Sequence, residues 1–294
     1  MKINRNFIAV LFFSSLFMVS CINDDVVDNV DKDLTNAEIM KQLKIGDVAI
    51  WNTLATQSID LSTLKSSDLK SVQAIQEWPK GGNYYFALYE DLYPSEGDYD
   101  FNDIIIKSIL GLEKSGDVTT GYLKSELVNK GGTLPVEIGL MFYEVSGNKY
   151  TRIANENITV NGVKLVKGAG PWTTPYSQAT HGKPWQIDFQ FTNKSKDIWI
   201  AYHIVTVRDG KRTEILTSGF APTSVTTQFE TPQLDFISKN KLPWGLEIEA
   251  KEFAIANEKE LFLNAYPLFK EWSESGGVQN KKWFESPDPK YTHY

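Results

Sequence analysis

The chain has 294 residues, with 30 basic and 37 acidic side chains for a formal charge of −7. No basic stripe interrupts that balance, which excludes nucleic acid as a partner and disfavours anionic headgroups, since phosphates need a positive footprint. Only one cysteine is present, so neither an internal disulfide nor a thiolate metal cluster can form.

Residues 1–20 read as a leader. Lys2 and Arg5 form a positive start, and Phe7–Val19 is an apolar run broken only by Ser14 and Ser15. It is too short for a hydrocarbon core, which takes about 20 apolar residues. Val19 and Ser20 lead directly into Cys21, an approach that resembles the bacterial lipobox, although Met18 stands where Leu is usual. The expectation is that residues 1–20 are removed and that Cys21 carries a diacylglycerol anchoring the chain to a membrane. The bland alternative is a soluble secreted protein or an uncleaved stub with an incidental cysteine. Removing Lys2 and Arg5 leaves 28 basic against 37 acidic side chains, a charge of −9.

Residues 21–34 form an acidic tether. Asp24 and Asp25, close behind the cysteine, resemble the surface-export signals of lipoproteins in the Bacteroides group, which implies the outer face of the outer membrane. A merely solvated tether, with the domain facing the periplasm, is the alternative. Residues 35–83 read as an N-terminal extension. Thr35-Asn36-Ala37-Glu38 fits a capping box, with Ile39, Met40 and Leu43 following at helical spacing.

From Tyr84 to about residue 285 the pattern is that of a mainly β domain. Tyr84–Tyr89, Ile104–Ile106, Leu134–Tyr143, Lys149–Ile153, Ile158–Val166, Trp185–Phe191 and Ile198–Val207 are short runs rich in β-branched and aromatic residues. Gly131-Gly132, Asn161-Gly162 and Asp209-Gly210 punctuate them, the last two pairs being strong hairpin signals. Together they predict an antiparallel β-sandwich, jelly-roll-like. Leu261, Ala265, Leu268 or Phe269 and Trp272 recur at helical spacing, predicting two short helices against the sheet with Pro267 in the first turn of the second. Residues 286–294 read as a tail.

The densest polar feature is Glu90-Asp91-Leu92-Tyr93-Pro94-Ser95-Glu96-Gly97-Asp98-Tyr99-Asp100-Phe101-Asn102-Asp103. An extended backbone there places Asp98, Asp100 and Asn102 on one side and Tyr99 and Phe101 on the other. Hard oxygens would then converge while aromatics anchor the opposite face, an arrangement suited to Ca²⁺ with its roughly six to eight oxygen ligands. Like-charge repulsion presses toward a cation or toward backbone N–H compensation. The alternative is a set of Asx turns and caps without metal.

This acidic segment closely resembles the signature of the LruC-domain family of bacterial surface lipoproteins, a domain of unknown function. Asn240–Leu246, Asn264–Phe269 and Glu271–Gly277 also resemble that family, and Gly219-Phe220-Ala221-Pro222-Thr223 matches a weaker motif. Pro135–Leu140 departs from the glycine- and phenylalanine-rich strand of many members. The resemblance implies location and architecture but no reaction. The D-F-N-D core also occurs in other extracellular domains thought to bind calcium, which by resemblance puts ligand roles on Asp91, Asp98, Asp100, Asn102 and Asp103.

An enzyme needs groups that are hard to find here. His181, His203 and His293 lack metal spacing, and there is no nucleophile elbow or glycine-rich phosphate loop. The leading expectation is therefore a non-enzymatic, calcium-stabilised structural or adhesive surface module with a protein partner. A glycan-binding module is the alternative, with Trp172 and Tyr176 in a Pro- and Thr-rich loop as stacking platform, and a glycoside-processing carboxylate pair is the third reading.

Overall fold

The computed structural model describes residues 34–46, 59–64, 75–147, 149–176, 182–195, 197–217 and 236–294. The leader, Cys21, nearly all of the acidic tether, His181 and the Gly219–Thr223 motif lie outside the described residues.

The capping box forms as the sequence predicts. The Thr35 side chain accepts the Glu38 N–H, and Glu38 accepts the Thr35 N–H at 2.7 Å, starting helix α1 at Asn36–Met40. Short strands β1 (Ile59–Asp60) and β2 (Gln76–Trp78) precede the long ones, β3 (Tyr84–Tyr89), β4 (Ile104–Ser115), β5 (Val118–Asn129) and β6 (Val136–Ser146). Then come β7 (Lys149–Arg152), β8 (Ile158–Val160), β9 (Val163–Lys164), β10 (Trp172–Tyr176), β11 (Trp185–Thr192), β12 (Asp197–Arg208) and β13 (Lys211–Ile215). The chain closes with β14 (Gly245–Ala250), β15 (Ile255–Ala256), α2 (Phe262–Ala265), α3 (Phe269–Glu274) and β16 (Thr292–His293).

These strands build the antiparallel sandwich. One sheet runs β1-β12-β6-β10, with β13 beside β12 and β7 beside β6; the other runs β14-β3-β4-β5-β11-β8-β9, with β2 beside β4. The two predicted hairpins close through two-residue turns, Asn161-Gly162 between β8 and β9 and Asp209-Gly210 between β12 and β13. All four turn residues have positive φ, from +48° to +78°, the mirror-image turn that matches strand twist.

Strand β11 shows the ordinary two-layer pattern. Ile187, Phe189 and Phe191 are buried between the sheets, while Gln186, Asp188 and Gln190 face solvent. Across the gap, Phe142 of β6 packs edge-on against Phe189 with centroids 5.1 Å apart. Strands β3 and β4 behave differently, because both of their faces are covered. Ala87, Tyr89, Ile104 and Ile106 join the core between the sheets, whereas Phe86, Leu88 and Ile105 join a second core on the outer face. That is why Tyr84–Tyr89 and Ile104–Ile106 read as unbroken apolar runs.

The cover is a C-terminal layer, residues 253–294. Trp283 is 1% exposed and meets Phe262, Tyr266, Phe269 and Trp272 with centroids 5.0–5.7 Å apart. Each such ring pair adds about 0.5–1.5 kcal/mol beyond the area it buries. Pro267 lies between α2 and α3, just ahead of the N-cap Leu268 rather than inside the first turn of the second helix. Met40 of α1 is buried in the same cluster, and β16 pairs with β15, so both ends of the described chain are fastened to this layer.

Candidate metal centre

The acidic loop joins β3 to β4, where one face meets the sandwich core and the other meets the C-terminal layer. Its organiser is Glu90, which follows the last residue of β3 and is 0% exposed. The Glu90 backbone N–H donates to the Trp244 carbonyl at 3.0 Å, which fixes the side chain inward. Its carboxylate then accepts the N–H of Tyr99 at 3.2 Å and of Phe101 at 2.6 Å. A β-carbon on Gly97 would stand 2.4 Å from Glu90 Oε2, so only glycine leaves room for this carboxylate.

The expected extended backbone over Asp98–Asn102 is not what forms. Tyr99 and Phe101 sit in the left-handed region at φ +58° and +53°, and the segment pairs with no strand. The two N–H groups that an extended strand would have offered to a neighbour turn instead onto one buried carboxylate. Such backbone costs on the order of 1–3 kcal/mol per residue and persists where the surroundings over-determine it. Here the rings do so: both aromatics are fully buried, Phe101 meeting Phe262 at 5.1 Å and Phe269 at 6.4 Å. The alternation of acid and aromatic survives, but it is carried by a coil.

The remaining oxygens fall into two halves. On the first, Asp100 accepts the Asn102 N–H at 3.2 Å, the Asn102 side-chain amide at 2.9 Å and the Lys259 N–H at 3.3 Å. On the second, Asp103 accepts the Asp91 N–H at 2.8 Å and Asp91 accepts the Leu134 N–H at 3.3 Å. Lys130 lies beside that second half. Burial lowers its pKa, and the Asp91 and Asp103 charges work against that shift. A register shift leaves Val128 as an extra residue on β5, opposite the step from Ile105 to Ile106 where β4 leaves the loop.

The first half has no such cation. Glu90, Asp98 and Asp100 each bring a carboxylate oxygen within 4.8 Å of the others. Among the described residues none of the three makes an ion pair with a basic side chain. Burial first, then the Asp103, Asp100 and Asp98 charges, hold Glu90 well above the usual carboxylate range. Burial and the Asp98 charge push Asp100 up to about 8. Burial and the Asp91 charge push Asp103 up to about 7. Oxygens on opposite sides of a Ca²⁺ ion, each at roughly 2.3–2.6 Å, lie about 4.6–5.2 Å apart, so the triad's spacing is compatible with that ion. The triad can chelate a metal ion, and its all-oxygen donors suit a hard one.

Of the residues singled out in the sequence, the structure brings Asp98 and Asp100 into the triad and ties Asn102 to Asp100. Asp91 and Asp103 are held together on the Lys130 side. Glu90 was not among the expected ligands; its signal is a charged residue directly ending a fully apolar strand, a position that cannot easily face water. Trp172 and Tyr176 lie half-buried on β10 at the sheet edge, packed against the sandwich core, and Tyr176 meets Trp185 at 5.1 Å. His203 is fully buried against Glu214 at 2.7 Å, and His293 contacts Asn257 at 3.0 Å.

Residues 142–284, just under half of the chain, match the profile of a domain of unknown function (DUF4842). That span takes in β7 to α3 and leaves out the acidic loop. No curated protein matches the chain. Among solved structures, the chain is similar to the crystal structure of a protein from Bacteroides ovatus provisionally named a lipoprotein, at 15% identity and a TM-score of 0.49, over 76% of this chain and 77% of that one.

Proposed function

We propose that this chain is a non-enzymatic lipoprotein of the cell envelope, acylated at Cys21 and held at the outer face of the outer membrane, whose sandwich serves as a calcium-stabilised structural or adhesive module. The leader, the unique cysteine and the acidic residues behind it support the anchor and its side of the membrane. The observation that carries the calcium reading is the triad of Glu90, Asp98 and Asp100, three carboxylates brought together with no basic partner among the described residues. Bound Ca²⁺ neutralises them, fixes the loop between β3 and β4, and so stiffens the junction of sandwich and C-terminal layer. An ion that binds only the folded state stabilises by RT ln(1 + [L]/Kd), about 2.7 kcal/mol at 100 times Kd.

Calorimetric titration and metal analysis of the mature chain test this. Ca²⁺ is expected to bind and to raise the melting temperature more than Mg²⁺ does, EDTA to lower it, and Asp100→Asn to remove most of that difference while Asp209→Asn leaves it. A parent protein that binds no cation, and melts at one temperature in EDTA and in millimolar Ca²⁺, refutes the reading.

A further inference from the structure

A cavity of about 750 Å³ opens between β14 and the C-terminal layer, lined by residues 248–252 on one side and 281–285 on the other. Its volume falls within the roughly 300–1,000 Å³ of small-molecule sites. Asn83, on its wall, immediately precedes β3, whereas Glu90 immediately follows it. The cavity and the acidic loop therefore lie at opposite ends of a six-residue strand, about 20 Å apart at roughly 3.3 Å per residue.

The floor is apolar. Trp272 and Trp283 line it with Ala250 and Ala254, and all four are buried. The two indole rings lie 5.7 Å apart, and Phe284, half-buried on the wall, meets Trp283 edge-on at 5.5 Å. The rest of the lining is polar. Three lysines, Lys251, Lys281 and Lys282, stand with three glutamates, Glu249, Glu252 and Glu285, and all but Glu249 are exposed. The Asn83 amide donates to Glu249 at 2.7 Å, which sets an amide and a carboxylate side by side.

This lining selects by chemistry. Its positive and negative side chains balance, so neither an anion nor a cation gains from the field of the cavity as a whole. A wholly apolar ligand would strip water from the polar wall without replacing its hydrogen bonds. A sugar ring suits both surfaces. Its C–H face is apolar, and each hydroxyl donates and accepts, matching lysine donors, carboxylate acceptors and an amide that does both.

We propose that this cavity binds a neutral saccharide, with a ring face against Phe284 and the indole floor and its hydroxyls on Asn83, Glu249 and the lysines of the rim. The site is separate from the acidic loop and does not depend on the calcium reading.

The test titrates the mature full-length chain calorimetrically with neutral tetrasaccharides of glucose, mannose, galactose, xylose and N-acetylglucosamine, and with tetragalacturonate as the acidic comparator, each up to millimolar concentration. At least one neutral tetrasaccharide is expected to bind and tetragalacturonate to bind more weakly. Asn83→Ala and Phe284→Ala are each expected to weaken the neutral ligand about tenfold, as when a bonded group loses its partner, and Tyr176→Ala to leave it unchanged. Hydrogen exchange at residues 248–254 and 281–287 is expected to slow when that ligand is added. Phe284 packs on Trp283, so its variant may fold less well; Asn83→Ala, outside the core, decides in that case. Failure of every neutral tetrasaccharide to bind, stronger binding of tetragalacturonate, or a ligand that Asn83→Ala leaves unaffected and Tyr176→Ala loses overturns the proposal.

Discussion

Replacing Glu247 with Gln should make the protein more stable at pH 8 but no more stable near pH 4.5. Glu247 lies on β14 opposite Ala87, so its side chain enters the core between the sheets, where it is 4% exposed beside Tyr85, Ser108 and Tyr202. Burial alone pushes its pKa from 4.5 up to about 8. Between those values the folded protein holds a proton that the unfolded chain has released, so stability declines as pH rises, by about 1.4 kcal/mol per unit. The contribution is complete below pH 4.5 and is lost as pH climbs through 8. Over that window the parent loses on the order of 4–5 kcal/mol, an upper bound because water penetration softens buried charges. A glutamine has nearly the same shape and no charge to uncover; its amide costs about 1–3 kcal/mol if imperfectly bonded, which leaves a net gain of a few kcal/mol at pH 8. Urea denaturation of parent and variant at both pH values, in saturating Ca²⁺, isolates this residue, since loop contributions cancel in the difference. A parent-to-variant difference that is the same at pH 4.5 and pH 8 refutes the reasoning.

Gly97→Ala should cost about 1–3 kcal/mol as an overpacked site, because its β-carbon would collide with Glu90; an unchanged midpoint in urea counts against a buried Glu90. Cys21→Ala should release the chain from the detergent-soluble membrane fraction or leave the precursor uncleaved, and a mature N-terminus elsewhere without lipid, read by mass spectrometry, contradicts the anchor. Protease added to intact cells should digest the domain while periplasmic controls survive; full protection of a chain that is cleaved after lysis places it on the inner side.

The sandwich was legible because its strands and turns are local signals: β11 alternates, Asn161-Gly162 and Asp209-Gly210 demand positive φ, and Thr35 with Glu38 spells a helix start. The three-layer end was half legible. Tyr84–Tyr89 announces burial on both faces, but nothing local says that Trp283 and Phe262, far along the chain, provide the second cover. The acidic loop was legible as a cluster between two strands, but its backbone is not the extended one that would set Asp98, Asp100 and Asn102 on one side. Spacing cannot show that Glu90 lies beneath the loop and collects the N–H groups of Tyr99 and Phe101, because that capture is a tertiary event.

The fastening of α1 to the C-terminal layer also determines how the protein meets mechanical load. Asn36 donates to the Lys259 carbonyl at 2.8 Å, the Lys44 N–H to Glu274 at 3.2 Å, and the Gly46 N–H to the Ser273 carbonyl at 2.9 Å. The segment around α1 is thus bonded to Lys259 and to the end of α3, and also to Glu96, Asn240 and Lys241, rather than to the long strands. Helices α2 and α3 are short and are held mainly by ring packing, whereas β4, β5, β6 and β12 are zipped by ladders of ten or more register pairs. Under tension this layer is therefore expected to give way before the two sheets separate.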